Sequence, residues 1–183
     1  MKKLLALVIA GSALVACSSN KAPVEAPVAS APVAAPVASA PVVSNHNSVY
    51  FAFNKYDIKD DYAGVVKANG SYLAANAAAK VQVQGNTDDI GSVEYNLSLG
   101  QKRADAVKKA LIATGASKAQ VEATSNGKLK AKYANDTSEA RAMNRRADIT
   151  YKAAQPAGYS EDSNGLPMVD GSVYNGTVAQ GVE

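Results

Sequence analysis

Residues 84–107, QGNTDDIGSVEYNLSLGQKRADAV, decide the fold of this chain. Just before and into this stretch, valines alternate with glutamines over 80–85, which predicts a strand with one buried face. A polar loop follows at 86–95. Asn96 is a residue type that caps helices, and apolar residues then recur at helical spacing up to Gly115, a residue type that ends helices. The stretch therefore predicts a strand, a loop and a helix in succession.

The same patterns on both sides extend this unit into one domain at 48–152. Apolar and polar residues alternate in three more segments. These predicted strands lie at 49–53, 121–125 and 147–151. Helical spacing over 58–73 predicts a helix before the second strand, and Asp136 with Glu139 is typical of the start of a short helix. The order β-α-β-α-β-(α)-β predicts an α+β sandwich, with a mixed sheet and helices on one face.

Three motifs occur in this domain in a recognisable order. The first strand contains VYFAFNKYDI at 49–58, and the last strand contains NRRADITY at 144–151. Between them, the chain follows the pattern Gly-His-Thr-Asp-x-x-Gly and then Asn-x-x-Leu-Ser-x-x-Arg-Ala-x-x-Val. The matching positions are Gly85, Thr87, Asp88, Gly91, Asn96, Leu99, Arg103, Ala104 and Val107. In these motifs the domain resembles the OmpA-like peptidoglycan-binding domain family over essentially all of 48–152.

The resemblance implies a ligand and a pair of charged residues that hold it. The family binds the peptide stem of peptidoglycan through diaminopimelate, whose free end carries an ammonium and a carboxylate on one carbon. A selective pocket for such a zwitterion needs one fixed anion and one fixed cation. By the resemblance, Asp88 accepts from the ammonium and Arg103 holds the carboxylate in a bidentate fork.

Further residues complete the predicted pocket. Asn96, at the predicted start of the helix, can cap it and orient the preceding loop. The resemblance adds Thr87, Leu97 or its neighbours, and Arg146. Arg145 and Arg146 are hard to separate by sequence. If the alternate apolar residues of the last strand point into the core, Arg145 lies on their face of the sheet and Arg146 lies on the opposite face. This favours Arg146 as the pocket residue.

Two positions depart from the family pattern. Asn86 stands where the family usually has His, and Asn54 stands where it often has Asp. Neither change removes the predicted charge pair. Asn in place of His at position 86 removes a pH-sensitive contact. Asn in place of Asp at position 54 is expected to remove a carboxylate that would help to hold the ammonium of the ligand.

The beginning of the chain has the residue order of a lipoprotein signal. Two lysines, an apolar stretch and small residues precede LVAC at 14–17, which resembles a lipobox. This predicts a signal peptide at 1–16 and lipidation of Cys17, the only cysteine of the chain. By resemblance to lipoprotein sorting rules, the absence of Asp at position 18 favours the outer membrane, with the domain facing the periplasm.

The segments that flank the domain differ from it in composition. Ala-Pro-Val repeats at 22–43 favour extended polyproline II, so residues 17–47 are predicted to be a tether. Residues 153–183 are rich in Gly, Asn, Ser and Val without periodicity, and we predict that they are mostly disordered. Such a layout would tie the outer membrane to the cell wall.

An enzyme is one competing function. The only histidine, His46, and the only cysteine, Cys17, lie outside the predicted domain, so no His and Cys cluster for zinc is expected, and no cofactor is implied. Asp88 and Glu94 remain as a carboxylate pair of the kind that cleaves glycosidic bonds.

Binding to other macromolecules is the second competing class. The family resemblance allows an interaction with proteins of the Tol system, and this role can coexist with wall binding. Nucleic acid is not an expected partner. Residues 48–152 hold sixteen basic and eleven acidic residues without a stripe of aromatic residues for base stacking.

Overall fold

The computed structural model describes residues 46–169. The predicted signal peptide, Cys17 and the tether up to residue 45 lie outside the described residues, as do residues 170–183. The helices and strands in chain order are β1 (Ser48–Tyr50), α1 (Ala63–Ala75), β2 (Lys80–Asn86), α2 (Val93–Ala113), β3 (Val121–Gly127), α3 (Ser138–Asn144), β4 (Arg146–Ala153), β5 (Tyr159–Glu161) and β6 (Pro167–Val169). Within 46–169, no helix combines the length and the apolar character that crossing a membrane requires.

Four of the strands form one mixed sheet in the order β1-β4-β2-β3. β4 runs antiparallel to β1 and β2, whereas β2 and β3 are parallel. A parallel pair needs a crossover connection, and α2 supplies it while packing on both strands. α1 packs beside α2. The predicted α+β fold, with a mixed sheet and helices on one face, is confirmed.

The two faces of the sheet have different chemistry because side chains alternate along each strand. Val83 of β2 and Ile149 of β4 are fully buried and pack in one core with Leu111 of α2. Burial of each such side chain stabilises the fold by roughly 1.5 to 3 kcal/mol. The opposite face carries polar residues, among them Gln84 of β2, whose side-chain amide donates to the hydroxyl of Thr150 on β4.

Two glycines allow α2 to lie directly against β2. A Cβ atom on Gly85 would lie 1.8 Å from the carbonyl oxygen of Gly100, and one on Gly100 would lie 2.3 Å from the hydroxyl of Ser125. Both distances are far below van der Waals contact, so any larger side chain would push the helix away. The pair therefore permits the close approach of α2 to β2 and β3.

Several predicted boundaries move by a few residues. β1 ends at Tyr50, and the side chain of Phe53, predicted to continue the strand, is 44% exposed. The chain turns there, since Asn54 has a φ of 57°. The short helix α3 is capped by Thr137, whose Oγ1 accepts from the N–H of Ala140, rather than by the predicted Asp136.

The start of α2 is the largest of these corrections. The helix begins at Val93, and Ser92 is its N-cap, because Ser92 Oγ accepts from the N–H of Tyr95 at 3.1 Å. Asn96 is therefore inside the helix and does not cap it. At the other end, the prediction for Gly115 is confirmed, since it follows the helix with a φ of +116°.

The prediction of disorder after residue 152 is wrong for 159–169. β5 and β6 pair as an antiparallel hairpin, in which Leu166 is fully buried. Asp162 Oδ1 closes its turn by accepting from the N–H of Leu166 at 2.8 Å. The hairpin also holds the start of the domain, since the N–H of Asn47 donates to the carbonyl of Pro167 at 2.7 Å.

Candidate functional site

Arg103 of α2 lies beneath the loop that follows β1. Its side chain is fully buried. Nε donates to the carbonyl of Lys55 at 2.9 Å, and Nη2 donates to that of Ala52 at 3.3 Å. Nη1 donates to the carbonyl of Asn86 at 2.9 Å. Arg103 therefore ties the loop after β1 to the end of β2. These bonds satisfy its N–H groups with neutral oxygens, so they do not neutralise its charge.

Asp88 lies in the loop between β2 and α2 and is 4% exposed. Its Oδ2 is 3.3 Å from Nη1 of Arg145. Its Oδ1 accepts weakly from the N–H of Ile90, at 3.4 Å. Arg145 also donates from Nε to the carbonyl of Phe51 at 3.2 Å. A buried carboxylate is thus held against a buried guanidinium.

Asp88, Arg103 and Arg145 form one group, which we call the charge cluster. Burial lowers the pKa of the Arg103 guanidinium to about 10, because a cation loses its hydration there. The carboxylate of Asp88 opposes this shift, whereas the nearby cation of Arg145 adds to it. The two residues that the sequence paired, Asp88 and Arg103, are therefore close enough to interact. Arg103, however, lies fully covered by the loops rather than open as a fork.

Asn96 anchors the loop that carries Asp88. Its side chain is fully buried, and Nδ2 donates to the carbonyls of Ile90 at 2.8 Å and Ser92 at 3.0 Å. The predicted role in orienting the loop fits these bonds. Asn96 Oδ1 is buried without a hydrogen-bond partner among the described residues. Buried acceptors are rarely left unpaired, so this atom is a candidate contact for a ligand donor.

Thr87 and Leu97 brace the same loop against β3. The N–H of Thr87 donates to the carbonyl of Gly127 at 2.9 Å, and its hydroxyl donates to the carbonyl of Asp88 at the same distance. Leu97 packs over Gly127, where an added Cβ would be 3.1 Å from its side chain. Thr87 directly precedes Asp88 and holds the loop that carries it, whereas Leu97 contacts β3 at Gly127.

Arg146 lies elsewhere, and the predicted placement is corrected. Its Nε donates to Asp148 Oδ1 at 2.9 Å and its Nη1 donates to the carbonyl of Met143 at 3.2 Å, on the polar side of the sheet. Arg145 occupies the position beside Asp88. The strand alternation places Arg146 on the polar face as expected, so the error lies in the assumption that the pocket is on that face. Arg145, the C-cap of α3 just before β4, is the arginine that contacts Asp88.

Comparison with known proteins places these residues in a family. The family model described as OmpA family matches residues 50–145. The chain belongs to the OmpA family. It is 40% identical over 154 residues to the peptidoglycan-associated lipoprotein of Pasteurella multocida, covering 82% of this chain and 100% of that protein. The protein of the same name from Haemophilus influenzae is 40% identical over 147 residues, which are 79% of this chain and 95% of that one.

A solved structure agrees with the OmpA-family fold. The crystal structure of the peptidoglycan-associated lipoprotein from Burkholderia pseudomallei is 44% identical, with a TM-score of 0.57. The similarity covers 57% of this chain and 89% of that one. The core described above is thus the fold of a known lipoprotein of this family.

The OmpA-family domain also presents an exposed apolar rim, which the sequence analysis missed. It consists of Phe53, Tyr56, Ile90 and Tyr95, each 44–49% exposed. Phe53 and Tyr56 belong to the loop that Arg103 holds, and Ile90 belongs to the loop of Asp88. Tyr95 lies in the first turn of α2, and its hydroxyl donates to Asn54 Oδ1, which links the helix to the loop after β1. Large apolar residues in otherwise polar loops were the available signal.

The two departures from the OmpA-family pattern have different surroundings. The side chain of Asn86 donates to Asp148 Oδ2 at 3.0 Å, on the polar face of the sheet, so only its carbonyl contacts Arg103. Asn54 adopts positive φ, which Asn tolerates better than most residues, and it accepts from Tyr95. Asn54 therefore lies in the loop that Arg103 holds, whereas Asn86 contacts the charge cluster only through its backbone carbonyl.

The carboxylate pair that suggested glycosidase chemistry has unsuitable surroundings. Glu94 is fully exposed, and a hydrogen bond from its own backbone N–H, with a second from Ser92, lowers its pKa. A general acid in a glycosidase needs a raised pKa. Asp88 is meanwhile paired with Arg145. Among residues 46–169, no group of three His, Cys, Asp or Glu side chains is arranged to hold a metal ion.

Proposed function

We propose that this chain is an outer-membrane lipoprotein whose domain binds the peptide stems of peptidoglycan without cleaving them. The support is its membership of the OmpA family and its 40% identity to two proteins named peptidoglycan-associated lipoprotein. With an acylated Cys17 in the membrane and residues 18–47 as a tether, the domain would link the outer membrane to the wall.

The observation that carries this proposal is the pairing of opposite charges in one buried group. Diaminopimelate ends in an ammonium and a carboxylate. Asp88 supplies a carboxylate for the ammonium, and Asn96 Oδ1, which has no hydrogen-bond partner among residues 46–169, is a further acceptor. Arg103 supplies a positive charge that its bonds to neutral carbonyls leave uncompensated. The headgroup would enter between the loops after β1 and β2, and its carboxylate would be drawn toward the guanidinium.

The rim residues would contribute by contact rather than by charge. Phe53, Tyr56 and Tyr95 can pack on the methylene groups of the stem, and burial of apolar area is favourable at roughly 25 cal/mol per Å². Two or three charge-assisted bonds of about 1.5 to 3 kcal/mol each, less the cost of ordering, correspond to micromolar to millimolar affinity for one stem. Many stems and many tethers would convert this into firm attachment.

Co-sedimentation of the full chain with purified wall sacculi tests the proposal. Asp88→Asn removes the anion without changing the shape of the side chain, and we expect the bound fraction to fall at least about tenfold, since one charge-assisted contact is lost. Asp89→Asn is the matched control, because Asp89 is the neighbouring carboxylate and pairs with Arg141 at the surface. Thermal melting would verify that both variants fold.

Equal sedimentation of Asp88→Asn and Asp89→Asn would overturn the assignment of the charge cluster. Release of soluble fragments from the sacculi would overturn the non-enzymatic assignment. A diaminopimelate stem should also bind more tightly than a lysine stem, which lacks the second carboxylate.

Lipid anchoring is proposed separately from ligand binding. Cys17→Ser should abolish incorporation of a labelled fatty acid and release the chain from outer-membrane fractions. Retention of the label on this variant would mean that the anchor is elsewhere.

A protein partner is a second candidate function, and the apolar rim favours it. Exposed apolar groups of this kind often mark protein interfaces. A protein of the Tol system is the partner that we propose. Ile90→Ser, at the 49% exposed position, should weaken binding of a purified Tol-system protein while leaving the domain folded. Undiminished binding would exclude the rim as the interface.

A further inference from the structure

A second concave site lies on the face of the sheet that the helices leave open. Its volume is about 350 Å³. Its floor consists of polar side chains from three neighbouring strands. They are Gln84 and Asn86 of β2, Asn126 of β3, and Asp148 and Thr150 of β4. Residues 130–132 form one wall, and the β5–β6 hairpin forms another with Glu161, Gly165 and Pro167. The hairpin lies beyond residues 50–145, which the family model matches.

The floor of this cleft is a fixed row of amides. Asn126 Nδ2 donates to Gln84 Oε1 at 3.1 Å and to Asn86 Oδ1 at 3.0 Å. Asn86 Nδ2 in turn donates to Asp148 Oδ2 at 3.0 Å. These bonds hold the side chains in place, so a ligand would meet a preorganised surface of polar groups. Hydroxyl and amide substituents are the groups that such a surface recognises.

The charges around the cleft favour an anion. Lys130, Lys132 and Lys152 line it. Asp148 is already paired with the fully buried Arg146 at 2.9 Å, so it offers little net negative charge. Glu161 is the other carboxylate of the lining. Three lysines therefore face one uncompensated carboxylate, which leaves a positive surplus for a carboxylate-bearing ligand.

We propose that this cleft binds a carboxylate-bearing amino sugar, the chemistry of the glycan strand in peptidoglycan. This rests on the proposed function, because wall binding at the charge cluster brings the domain beside that strand. The lactyl carboxylate would lie among the lysines, and the hydroxyl and acetamido groups would contact the amide row. A volume of about 350 Å³ lies in the range of small-molecule sites, roughly 300 to 1,000 Å³.

The test uses the peptide-free disaccharide GlcNAc–MurNAc, titrated calorimetrically into the full chain in detergent. It carries the carboxylate but no stem, so it examines the cleft independently of the charge cluster. We expect the triple variant K130Q/K132Q/K152Q to bind about tenfold more weakly, because three surface charge contacts are lost. The control K59Q/K109Q/K118Q removes the same charge from exposed positions outside the cleft and should bind as the wild type does.

Three further arms decide the identity of the ligand. N,N′-diacetylchitobiose, which keeps both acetamido groups and lacks the carboxylate, should bind about tenfold more weakly than GlcNAc–MurNAc, for the same loss of charge contacts. Asp88→Asn should leave disaccharide binding unchanged, and a loss in that variant would place the sugar at the charge cluster and overturn the proposal. Displacement of GlcNAc–MurNAc by inorganic phosphate at the same concentration would show a general anion site and refute the proposal. The absence of detectable heat when the disaccharide is titrated into the wild type would refute it as well. Sedimentation of Asp88→Asn with sacculi separately tests the stem site.

Discussion

The sharpest test of the site geometry asks which of the two adjacent arginines, Arg145 or Arg146, interacts with Asp88. The structure pairs Asp88 with Arg145 and pairs Asp148 with Arg146. Two double-mutant cycles separate these alternatives: Asp88→Asn with Arg145→Met, and Asp88→Asn with Arg146→Met. Each single substitution will destabilise the domain because it leaves a buried charge unpaired. The cycle subtracts those losses and leaves the interaction energy of each pair.

The expected magnitude follows from the distance of 3.3 Å between Asp88 Oδ2 and Arg145 Nη1. At an effective dielectric constant of about 20, two unit charges at this distance attract by about 5 kcal/mol. Arg103 remains close to Asp88 after Arg145 is removed and takes over part of this attraction. We therefore expect a coupling energy of about 2 kcal/mol for the Arg145 cycle. The Arg146 cycle should be additive within about 0.5 kcal/mol, since Arg146 pairs with Asp148 instead.

Urea unfolding at neutral pH, followed by circular dichroism, supplies the free energies for both cycles. The slopes of the unfolding curves must agree among variants, so that differences in midpoint report stability. A coupling for Arg146 as large as that for Arg145 would refute the placement of the two side chains. Near-zero coupling for Arg145 would refute the buried ion pair.

Three further predictions concern stability. Gly85→Ala should destabilise the domain by about 2 kcal/mol in urea unfolding, because the added methyl would overlap the carbonyl of Gly100; an unchanged midpoint would contradict the close packing. Ser92→Ala should cost about 1 kcal/mol, since the N–H of Tyr95 loses its cap, and the same assay checks it. Burial raises the pKa of Tyr50 above its ordinary value of 10.0, so the unfolded chain loses this proton first and stability should fall as the pH rises past 10.0 in alkaline unfolding curves.

The unit around residues 84–107 was predictable because its signals are local. Alternation of valines defines β2, and helical spacing defines α2. The order of elements follows from such patterns alone. The proximity of Asp88 and Arg103 also follows. Asp88 lies in the loop just after β2, and Arg103 lies on α2, the helix that packs against β2. The sequence could not show that loops would cover Arg103, since that depends on contacts with Ala52 and Lys55.

The wrong predictions concern choices between equivalent residues. Ser92 and Asn96 are both residue types that cap helices. The sequence does not show that the Asn96 side chain instead donates to the carbonyl of Ile90 in the preceding loop. Strand parity separates Arg145 from Arg146, but it does not show on which face of the sheet the pocket lies. The hairpin at 159–169 has strands of three residues, which are too short to show a period.

The contact between the β5–β6 hairpin and Asn47 has a mechanical consequence. If the N-terminus is anchored as proposed, tension from the membrane enters the fold at His46 and the reaction force arises at the loop after β1, where Arg103 holds Ala52. The pull then runs along β1. Its hydrogen bonds to β4 are perpendicular to the strand, so they are sheared together rather than opened one at a time. Residues 46 and 47 would be the first to separate under this force. The hairpin holds them through the hydrogen bond from Asn47 to the Pro167 carbonyl and through the bridge between His46 and Met168.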